Sequence, residues 1–433
     1  MQPPAEPRLD EERATEILLR HPKVADWLDR YPPEPTTDAE FRDEDRRWTV
    51  KAWSGEAGQV VLGKVDDATG EVVEAWTGPQ VAWKMARGYD GAFGGKTINS
   101  PWVWLGFSAV FLLGLGSLRR PLALRNLDLL ALLAFTPSLY AFNRGEVFWS
   151  APLAVPPLLY VLVRLGWIGF RGRPASPVRP VWPVWALLGA TVFLLGFRIG
   201  LNVQAPYSVI DVGYAGVIGA HRIVEGQAPY GHFPVQDDRP ACGPADAEGE
   251  IRNRIQTNGR CESSNERGDT YGPVSYLAYV PGFALFGWSG KWGGDTLPAA
   301  HFTSIAWDLL VVAGLVLAGR RYGGTRLAVT LAFAWAAYPF TAYTLNSNTN
   351  DAIPAAFLVW GFWLATSPWA RGAAAALSGW TKFGTLVVAP LWLTYPSAPR
   401  ARPLAFAAAF VAASVAAFSV LLLEPDVVEA ART

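Results

Sequence analysis

Asp211 is the residue of this sequence best suited to chemistry. It follows a long apolar run and opens a long polar segment, where a carboxylate is costly unless it is solvated, paired or used. Such a carboxylate can be the general base that takes the proton of a reacting hydroxyl. It can equally belong to a helix capping box, since Ser208 and Asp211 have Ser-x-x-Asp spacing. We expect a helix over 210–225, closed by Gly226 and stopped by Pro229.

Polar side chains on and around that helix are candidates for holding a substrate. Asp211, Tyr214 and Arg222 fall near one face, which predicts a polar face turned to a cavity. Arg222, and Arg198 at the end of the preceding apolar run, could bind a lipid phosphate bidentately or simply extend to the interface. Lys382 lies inside an apolar run, where a cation indicates a function by default.

The segment 345–351 is a second polar interruption. Asn350 and Asp351 could contact sugar hydroxyls or bind a divalent cation, because carboxylates and amides suit hard cations. An ordinary solvated loop explains the same residues. No other metal site and no cofactor is expected from the sequence.

The chain has two cysteines, Cys242 and Cys261, in the polar segment after Tyr230. Their proximity predicts one disulfide on an oxidising face of the membrane. Two unpaired thiols are the alternative, and zinc is poorly supported because no histidine partners accompany them.

The composition places these residues in a membrane protein. The 433 residues are 51% hydrophobic and carry no formal net charge, so nucleic-acid binding has no electrostatic support. Repeated apolar runs predict a polytopic α-helical membrane protein with about nine spans plus re-entrant or interfacial helices. The predicted spans are 102–116, 127–142, 148–170, 181–201, 297–318, 327–343, 352–366, 372–395 and 404–423.

Arginines between the runs predict the orientation. If those after the first and third spans are cytoplasmic, the loop 202–272 is extracytoplasmic and so is the N-terminal region. The side of the N-terminal region stays open, because no signal peptide is recognisable. The run 274–288 is short and contains Pro281-Gly282, which favours a re-entrant or interfacial segment. The run 372–395 is either a simple crossing or a broken hairpin bent at Thr381-Lys382.

Residues 1–98 predict a small α+β domain with no catalytic constellation. Periodicity indicates a helix over 10–30, followed by strands over 48–53, 59–65 and 71–76 with a turn at 66–70. This pattern resembles a PepSY-type domain, which implies a binding or regulatory role. Residues 99–180 would then be accessory transmembrane helices, and 181–433 the main membrane module.

That main module resembles the GT-C glycosyltransferases, most closely glycosyltransferase family 87, over about 181–423. The motifs behind the resemblance are Asp211 with Tyr214, Gly226-x-x-Pro229-Tyr230, Tyr271-Gly272-Pro273, 346–351, and Gly379-Trp380-Thr381-Lys382 followed by Pro390. Family members of this type use a polyprenyl-phosphate sugar. The chain ends soon after the last predicted span, and we expect a C-terminal part shorter than is usual in that family.

The resemblance implies a plasma-membrane, inverting transferase with its catalytic loop on the extracytoplasmic face. Asp211 would be the base, and the donor would be mannose or another pentose or hexose on a polyprenyl phosphate. The acceptor would be an envelope glycan or glycolipid. The residues implied in substrate binding are Arg198, Tyr214, Arg222, Tyr230, Tyr271, Asn350, Asp351 and Lys382. The alternatives are a non-enzymatic sensor or assembly protein using the PepSY-like region, and a lipid or sugar transporter.

Overall fold

The computed structural model describes residues 6–43, 45–78, 80–81, 95–171, 182–206, 208–230, 240–241, 243, 253–255, 261–263, 271–290, 296–395 and 402–423. The chain forms two compact units. The first contains Met1–Ala86, Leu130–Arg173 and Pro234–Glu266. The second contains Arg87–Leu129, Pro174–Phe233 and Arg267–Thr433.

The first unit is built on a four-stranded antiparallel meander preceded by two helices. Its elements are α1 (Glu11–Leu19), α2 (Pro22–Leu28), β1 (Thr36–Arg42), β2 (Arg47–Trp53), β3 (Gln59–Asp66) and β4 (Val72–Thr77), with sheet order β1-β2-β3-β4. The core lies between α1, α2 and the sheet and includes Leu18, Val24, Val50 and Val61, none of them exposed. The predicted α+β character is therefore confirmed.

Two details of this unit differ from the prediction. The helix expected over 10–30 is two helices, because Pro22 begins a new one and cannot continue the first. Strand β1 was missed, since its sequence, TTDAEFR, alternates only weakly and the strand is nowhere fully buried. The three predicted strands are present, and Gly70 N–H donates to the Asp66 carbonyl in the predicted turn, at 2.8 Å.

The same unit contains two helices that follow one another closely, α6 (Thr136–Asn143) and α7 (Val147–Arg171). The turn between them packs on the sheet: Ala75 N–H donates to the Arg144 carbonyl at 3.1 Å. The Lys23 ammonium donates to the carbonyls of Ala75, at 2.7 Å, and Gly145, at 2.6 Å. The sheet is thus fixed to the turn at which the long apolar helix α7 begins. A short hairpin, β5 (Asn253–Ile255) and β6 (Cys261–Ser263), also belongs to this unit.

The remaining helices belong to the second unit, except that α5 has residues in both units. They are α3 (Gly95–Ile98), α4 (Pro101–Leu115), α5 (Leu124–Leu133), α8 (Val184–Gln204), α9 (Asp211–Val224), α10 (Pro273–Leu277), α11 (Val280–Phe286), α12 (Pro298–Ala337), α13 (Pro339–Asn346), α14 (Ala352–Trp363), α15 (Pro368–Gly379), α16 (Ala389–Thr394) and α17 (Pro403–Phe418). Helix α12 is two helices joined at Gly323 and Gly324, whose backbone is non-helical. That break lies in the arginine-bearing gap predicted between 318 and 327.

Four helices in the described part of the chain are long and apolar enough to span a membrane: Val147–Ile168, Val184–Gln204, Pro298–Ala337 and Pro403–Leu423. Shorter apolar helices accompany them: Pro101–Leu115, Pro273–Phe286, Ala352–Trp363 and Phe383–Thr394. This is the architecture of a helical membrane protein. The predicted span 127–142 is not one helix, because α5 ends at Leu133 and Pro137 lies in the first turn of α6.

The run 372–395 is a broken hairpin. Helix α15 ends at Gly379, and a 3-10 segment, Phe383–Val388, leads into α16. The chain then runs back along α15, since Arg371 Nε donates to the Trp392 carbonyl at 2.9 Å. The bend therefore lies at Thr381-Lys382, one of the two alternatives that the sequence left open.

Candidate functional site

Asp211 begins helix α9 in the second unit. Ile210 is the N-cap, so Ser208 is not the capping residue that the Ser-x-x-Asp spacing predicted. The Ser208 N–H donates to the Ala205 carbonyl at 2.9 Å, and Asp211 Oδ1 accepts a hydrogen bond from the Val212 N–H at 2.8 Å. A carboxylate in the first turn of a helix is stabilised by the helix dipole. The residue is half-buried.

Helix α9 is buried on every side through most of its length, from Val212 to Ala220. The predicted polar face is therefore wrong for Tyr214, which is 9% exposed and packs in a core with Val217 and Tyr279. Glycines at every third position allow this close packing. A Cβ atom on Gly213 would lie 2.9 Å from the Asn348 carbonyl oxygen, and the rings of Tyr279 and Tyr276 press on Gly216 and Gly219.

The predicted end of α9 is confirmed. Val224 is its last residue, and Gly226 follows with φ of 78°, the left-handed conformation of a helix C-terminus. Arg222 Nε donates to the Ala228 carbonyl at 3.0 Å, so its guanidinium holds the turn after the helix. Arg222 also lies eleven residues beyond Asp211, about 16 Å along the helix axis. The two residues therefore lie at opposite ends of α9, and the substrate-binding role of Arg222 stays a prediction.

Tyr230 and Tyr271, the described residues on either side of the polar insert, lie next to each other. Tyr230 Oη donates to the Tyr271 carbonyl at 2.9 Å, and its ring meets Tyr276 edge-on at 5.3 Å. Tyr271 in turn packs against Ile210 and Val212 at the start of α9. The motifs around Tyr230 and Tyr271 are thus brought together beside Asp211.

The Tyr271-Gly272-Pro273 motif is also docked on the bend of the broken hairpin. Val274 N–H donates to the Trp380 carbonyl at 3.3 Å. A Cβ atom on Gly272 would collide with that carbonyl, lying 2.5 Å from its carbon. Gly272 has an ordinary φ of −62°, so close approach rather than backbone conformation requires a glycine here.

A buried polar network connects the loop before Asp211 with the loop before Asp351. Asn202 Nδ2 donates to Asn348 Oδ1 at 2.9 Å, and Asn202 Oδ1 lies 2.7 Å from His301 Nδ1. Asn348 Nδ2 donates to the Ser208 carbonyl at 2.7 Å. Asn348 is unexposed and has φ of 52°, a conformation that asparagine tolerates better than most residues.

The two loops place a second acid near the first. Burial raises the pKa of the Tyr271 hydroxyl, and the carboxylates of Asp211 and Asp351 raise it further. The Tyr271 hydroxyl therefore stays protonated at neutral pH and can donate a hydrogen bond.

Asp351 is paired with Lys382 from the hairpin bend. The Lys382 ammonium donates to Asp351 Oδ1, and Thr349 Oγ1 donates to Asp351 Oδ2 at 2.8 Å. The two charged side chains are 37% and 45% exposed, so the pair is accessible rather than buried in the core. Lys382 thus lies at the bend of the hairpin, with its charged group partly exposed.

Asn350 is the buried neighbour of Asp351. Its Nδ2 donates to Ser275 Oγ at 2.6 Å, and the residue is unexposed. Its Oδ1 is buried without a hydrogen-bond partner among the described residues. A buried amide oxygen without a partner costs about 1–3 kcal/mol. Because Asn350 is unexposed, a bound sugar does not reach this oxygen in the structure.

Arg198 does not join this group. Its guanidinium is fully buried and donates to Asp308 Oδ1, and also to the carbonyl of Thr341, both at 2.9 Å. Trp335 Nε1 donates to the same Asp308 oxygen at 2.8 Å. The structure thus places Arg198 in an internal ion pair that joins α8 to α12, rather than at a surface where it would meet a phosphate.

Several residues of this region were missed from the sequence. Asn202, His301, Asn348 and Ser275 form or extend the polar network, but single amides and hydroxyls beside apolar runs carry little specific signal. Asp308 did carry one: an acid inside an apolar run implies a partner or a function.

Metal and disulfide chemistry are not seen in the described residues. No group of three or more His, Cys, Asp or Glu side chains there is arranged to hold a metal ion. Of the two cysteines, the structure describes only Cys261. Cys242 lies outside the described residues. Its pairing with Cys261 therefore stays a prediction.

Comparison with known proteins finds no match: no family model, no curated protein and no solved structure is similar to this chain.

Proposed function

We propose that this chain is a membrane glycosyltransferase that moves a sugar from a polyprenyl phosphate to a hydroxyl group of an envelope acceptor. The observation that carries the proposal is the meeting of four separate segments: the start of α9 with Asp211, the Tyr271-Gly272 turn, the loop with Asn350 and Asp351, and the bend with Lys382. Tyr271 packs on the start of α9, Val274 N–H donates to the Trp380 carbonyl of the bend, and Lys382 pairs with Asp351. A transferase of this kind needs a base, hydroxyl-binding groups and a cation for the leaving phosphate, and each is present in this group.

In the proposed reaction, Asp211 takes the proton of the acceptor hydroxyl as its oxygen attacks C1 of the sugar. The bond between C1 and the phosphate oxygen breaks on the opposite face, and the configuration at C1 inverts. The electron pair leaves with the polyprenyl phosphate. No nucleotide enters the reaction, which agrees with the lack of nucleotide-binding motifs in the sequence.

Lys382 has the charge that the leaving group requires. Negative charge grows on the phosphate in the transition state, and a preoriented cation stabilises it. Asp351 holds the ammonium in the substrate-free protein and can exchange this partner for a phosphate, because the pair is partly solvated. The Tyr271 hydroxyl is a hydrogen-bond donor for the sugar, and the buried Asn350 positions Asp351 by its bond to Ser275.

The proposal places the Asp211 region on the extracytoplasmic face of the plasma membrane, where lipid-linked sugars are presented. The arginine-rich segments between the apolar runs support this orientation through the positive-inside rule.

Transfer by the purified full-length protein tests the proposal. The protein is reconstituted with a radiolabelled polyprenyl-phosphate sugar and a lipid extract of the envelope as acceptor. We expect label in a glycan or glycolipid product and none when the same sugar is supplied as a nucleotide derivative. Product formed only from the nucleotide sugar would contradict the donor class. No product from either donor, with mannose and pentose donors both tried, would contradict the transferase assignment.

A further inference from the structure

Asn348 contacts the chain on both sides of Asp211. Its side-chain Nδ2 donates to the Ser208 carbonyl, three residues before the acid, at 2.7 Å. Its own carbonyl oxygen lies against Gly213, two residues after the acid, where a Cβ atom would be 2.9 Å from that oxygen. The Gly213 N–H donates to the Ile210 carbonyl at 2.9 Å, so this contact falls on the first turn of α9. One residue therefore holds the start of the helix that carries Asp211.

The backbone of Asn348 is itself fixed by buried neighbours. The residue is unexposed, and its φ of 52° is a left-handed conformation that asparagine tolerates better than most residues. Its N–H donates to the Leu345 carbonyl at 3.2 Å. Asn202 of α8 donates from Nδ2 to that same carbonyl, at 2.7 Å, and to Asn348 Oδ1, at 2.9 Å. The oxygen and the nitrogen of the Asn348 amide are thus both bonded within the protein.

Asn348 also belongs to the loop that carries the second acid. Asp351 follows three residues later, so the chain places it at most about 11 Å from Asn348. The residues between the two are fixed by hydrogen bonds: Thr349 Oγ1 donates to Asp351 Oδ2 at 2.8 Å, and Asn350 Nδ2 donates to Ser275 Oγ at 2.6 Å. The position of Asp351 is therefore linked to that of Asn348.

We propose that Asn348 is the positioning residue that sets the separation between Asp211 and the ion pair of Asp351 with Lys382. The inference rests on the proposed function, in which the base and the cation act on opposite faces of one sugar carbon. Such a reaction needs both groups at a fixed distance, because a displacement of about 1 Å can cost about 100-fold in rate. Asn348 is buried, so it acts through these residues and not on the substrate. Its loss should lower kcat more than it weakens donor binding.

The kinetics of Asn348→Gly test this role in the purified full-length protein, with the radiolabelled polyprenyl-phosphate sugar as donor. Glycine accepts the left-handed backbone of position 348 and removes the amide that holds Ser208. We expect kcat to fall about 100-fold, with the donor KM changed less than about 3-fold. Thr191→Ala is the control, because Thr191 is buried and its Oγ1 donates within α8, to the Leu187 carbonyl at 2.7 Å. Wild-type kcat in Asn348→Gly, or an equal loss of kcat in both variants, would overturn the inference.

Hydrogen exchange tests the same inference without relying on sugar transfer. The amides of Gly213 and Tyr214 both donate to the Ile210 carbonyl, at 2.9 and 3.2 Å, in the helical turn that Asn348 contacts. They should exchange slowly in wild type and in Thr191→Ala, and about 10-fold faster or more in Asn348→Gly, since the first turn of α9 would then open locally.

Fast exchange of both amides in the wild-type protein would overturn the inference, even if Asn348→Gly does not fold. A wild-type protein that transfers no sugar would contradict the proposed function instead. Slow wild-type exchange that Asn348→Gly accelerates would then still support the contact of Asn348 with the start of α9.

Discussion

The ammonium of Lys382 and the carboxylate of Asp351 form an ion pair between the hairpin bend and the loop before α14. The two residues are 31 positions apart in the sequence, and each comes from a motif that the sequence analysis had singled out. Because both side chains are partly exposed, solvent screens the pair, and its contribution to the free energy of unfolding is about 0–1 kcal/mol. We therefore attribute the pairing to function more than to stability.

Replacing Lys382 should separate its contribution to sugar transfer from its contribution to stability. Lys382→Met should lower sugar transfer about 100-fold, the effect of removing one group that stabilises transition-state charge. The thermal unfolding midpoint should barely move, and Lys382→Arg, which keeps the charge, should retain more activity. Wild-type transfer by Lys382→Met would remove the assigned phosphate cation.

The ion pair between Arg198 and Asp308 should contribute to stability rather than to sugar transfer. Both residues are buried, so Arg198→Met leaves an uncompensated carboxylate and should destabilise the protein by about 3–5 kcal/mol. The double variant Arg198→Met with Asp308→Leu should recover most of that loss. Chemical denaturation in detergent measures both. A stable Arg198→Met protein with weakened donor binding alone would instead support the phosphate-binding role that the sequence suggested.

Gly272 tests the contact between the Tyr271-Gly272 turn and the hairpin bend. Gly272→Ala places a methyl group against the Trp380 carbonyl, and we expect a destabilisation of about 1–3 kcal/mol together with reduced transfer. Gly200→Ala is the control, because a Cβ atom there meets nothing within 4 Å. Equal unfolding midpoints for the two variants would show that the turn and the bend are not in contact.

The first unit should lose stability in mild acid through His21. Burial lowers the pKa of its imidazole below 6.5, an effect that Glu146 opposes and Lys23 reinforces. As the pH falls through about 6.5, the unfolded chain takes up a proton first, so stability present at neutral pH is lost. Hydrogen exchange of the β2 and β3 amides between about pH 7 and 5 should show this loss.

The control for that experiment is His21→Gln, which should be insensitive to pH over the same range. The carboxyl pKa of Asp66 is lowered chiefly by hydrogen bonds from Thr69. Its stabilising effect should be lost only at lower pH, below about 4. A pH dependence that persists in His21→Gln would assign the titration to another group.

The sequence anticipated the local signals of this fold and missed the long-range pairings. Gly226 follows from the rules for helix ends, and the break near Gly323-Gly324 follows from the arginine-bearing gap between two apolar runs. The bend at Thr381-Lys382 was one of two alternatives that the sequence left open. The partner of Arg198 lies 110 positions away, and no periodicity connects the two. The spacing also predicted a polar helix face that includes Tyr214, and this prediction was wrong. Helix α9 is enclosed on all sides by neighbours that its own sequence does not reveal.

The residues of the candidate site also divide into those that the sequence predicted and those that it missed. Asp211, Tyr271, Asp351 and Lys382 were each recognisable as polar residues beside apolar runs, and the structure brings them together. The network that positions them was not recognisable, since Asn202, His301 and Asn348 are far apart in the sequence and meet only in the folded chain.

The kinetics of Asp211→Asn test the central claim most directly. The variant keeps the shape of the side chain but cannot accept the proton, so kcat for sugar transfer should fall about 100-fold to 10,000-fold. Donor binding should be unchanged and the unfolding midpoint close to that of wild type. Asp351→Asn, made in parallel, should alter donor binding more than kcat. Wild-type kcat in a folded Asp211→Asn protein would contradict the account, because the residue on which the proposed chemistry depends would then be dispensable.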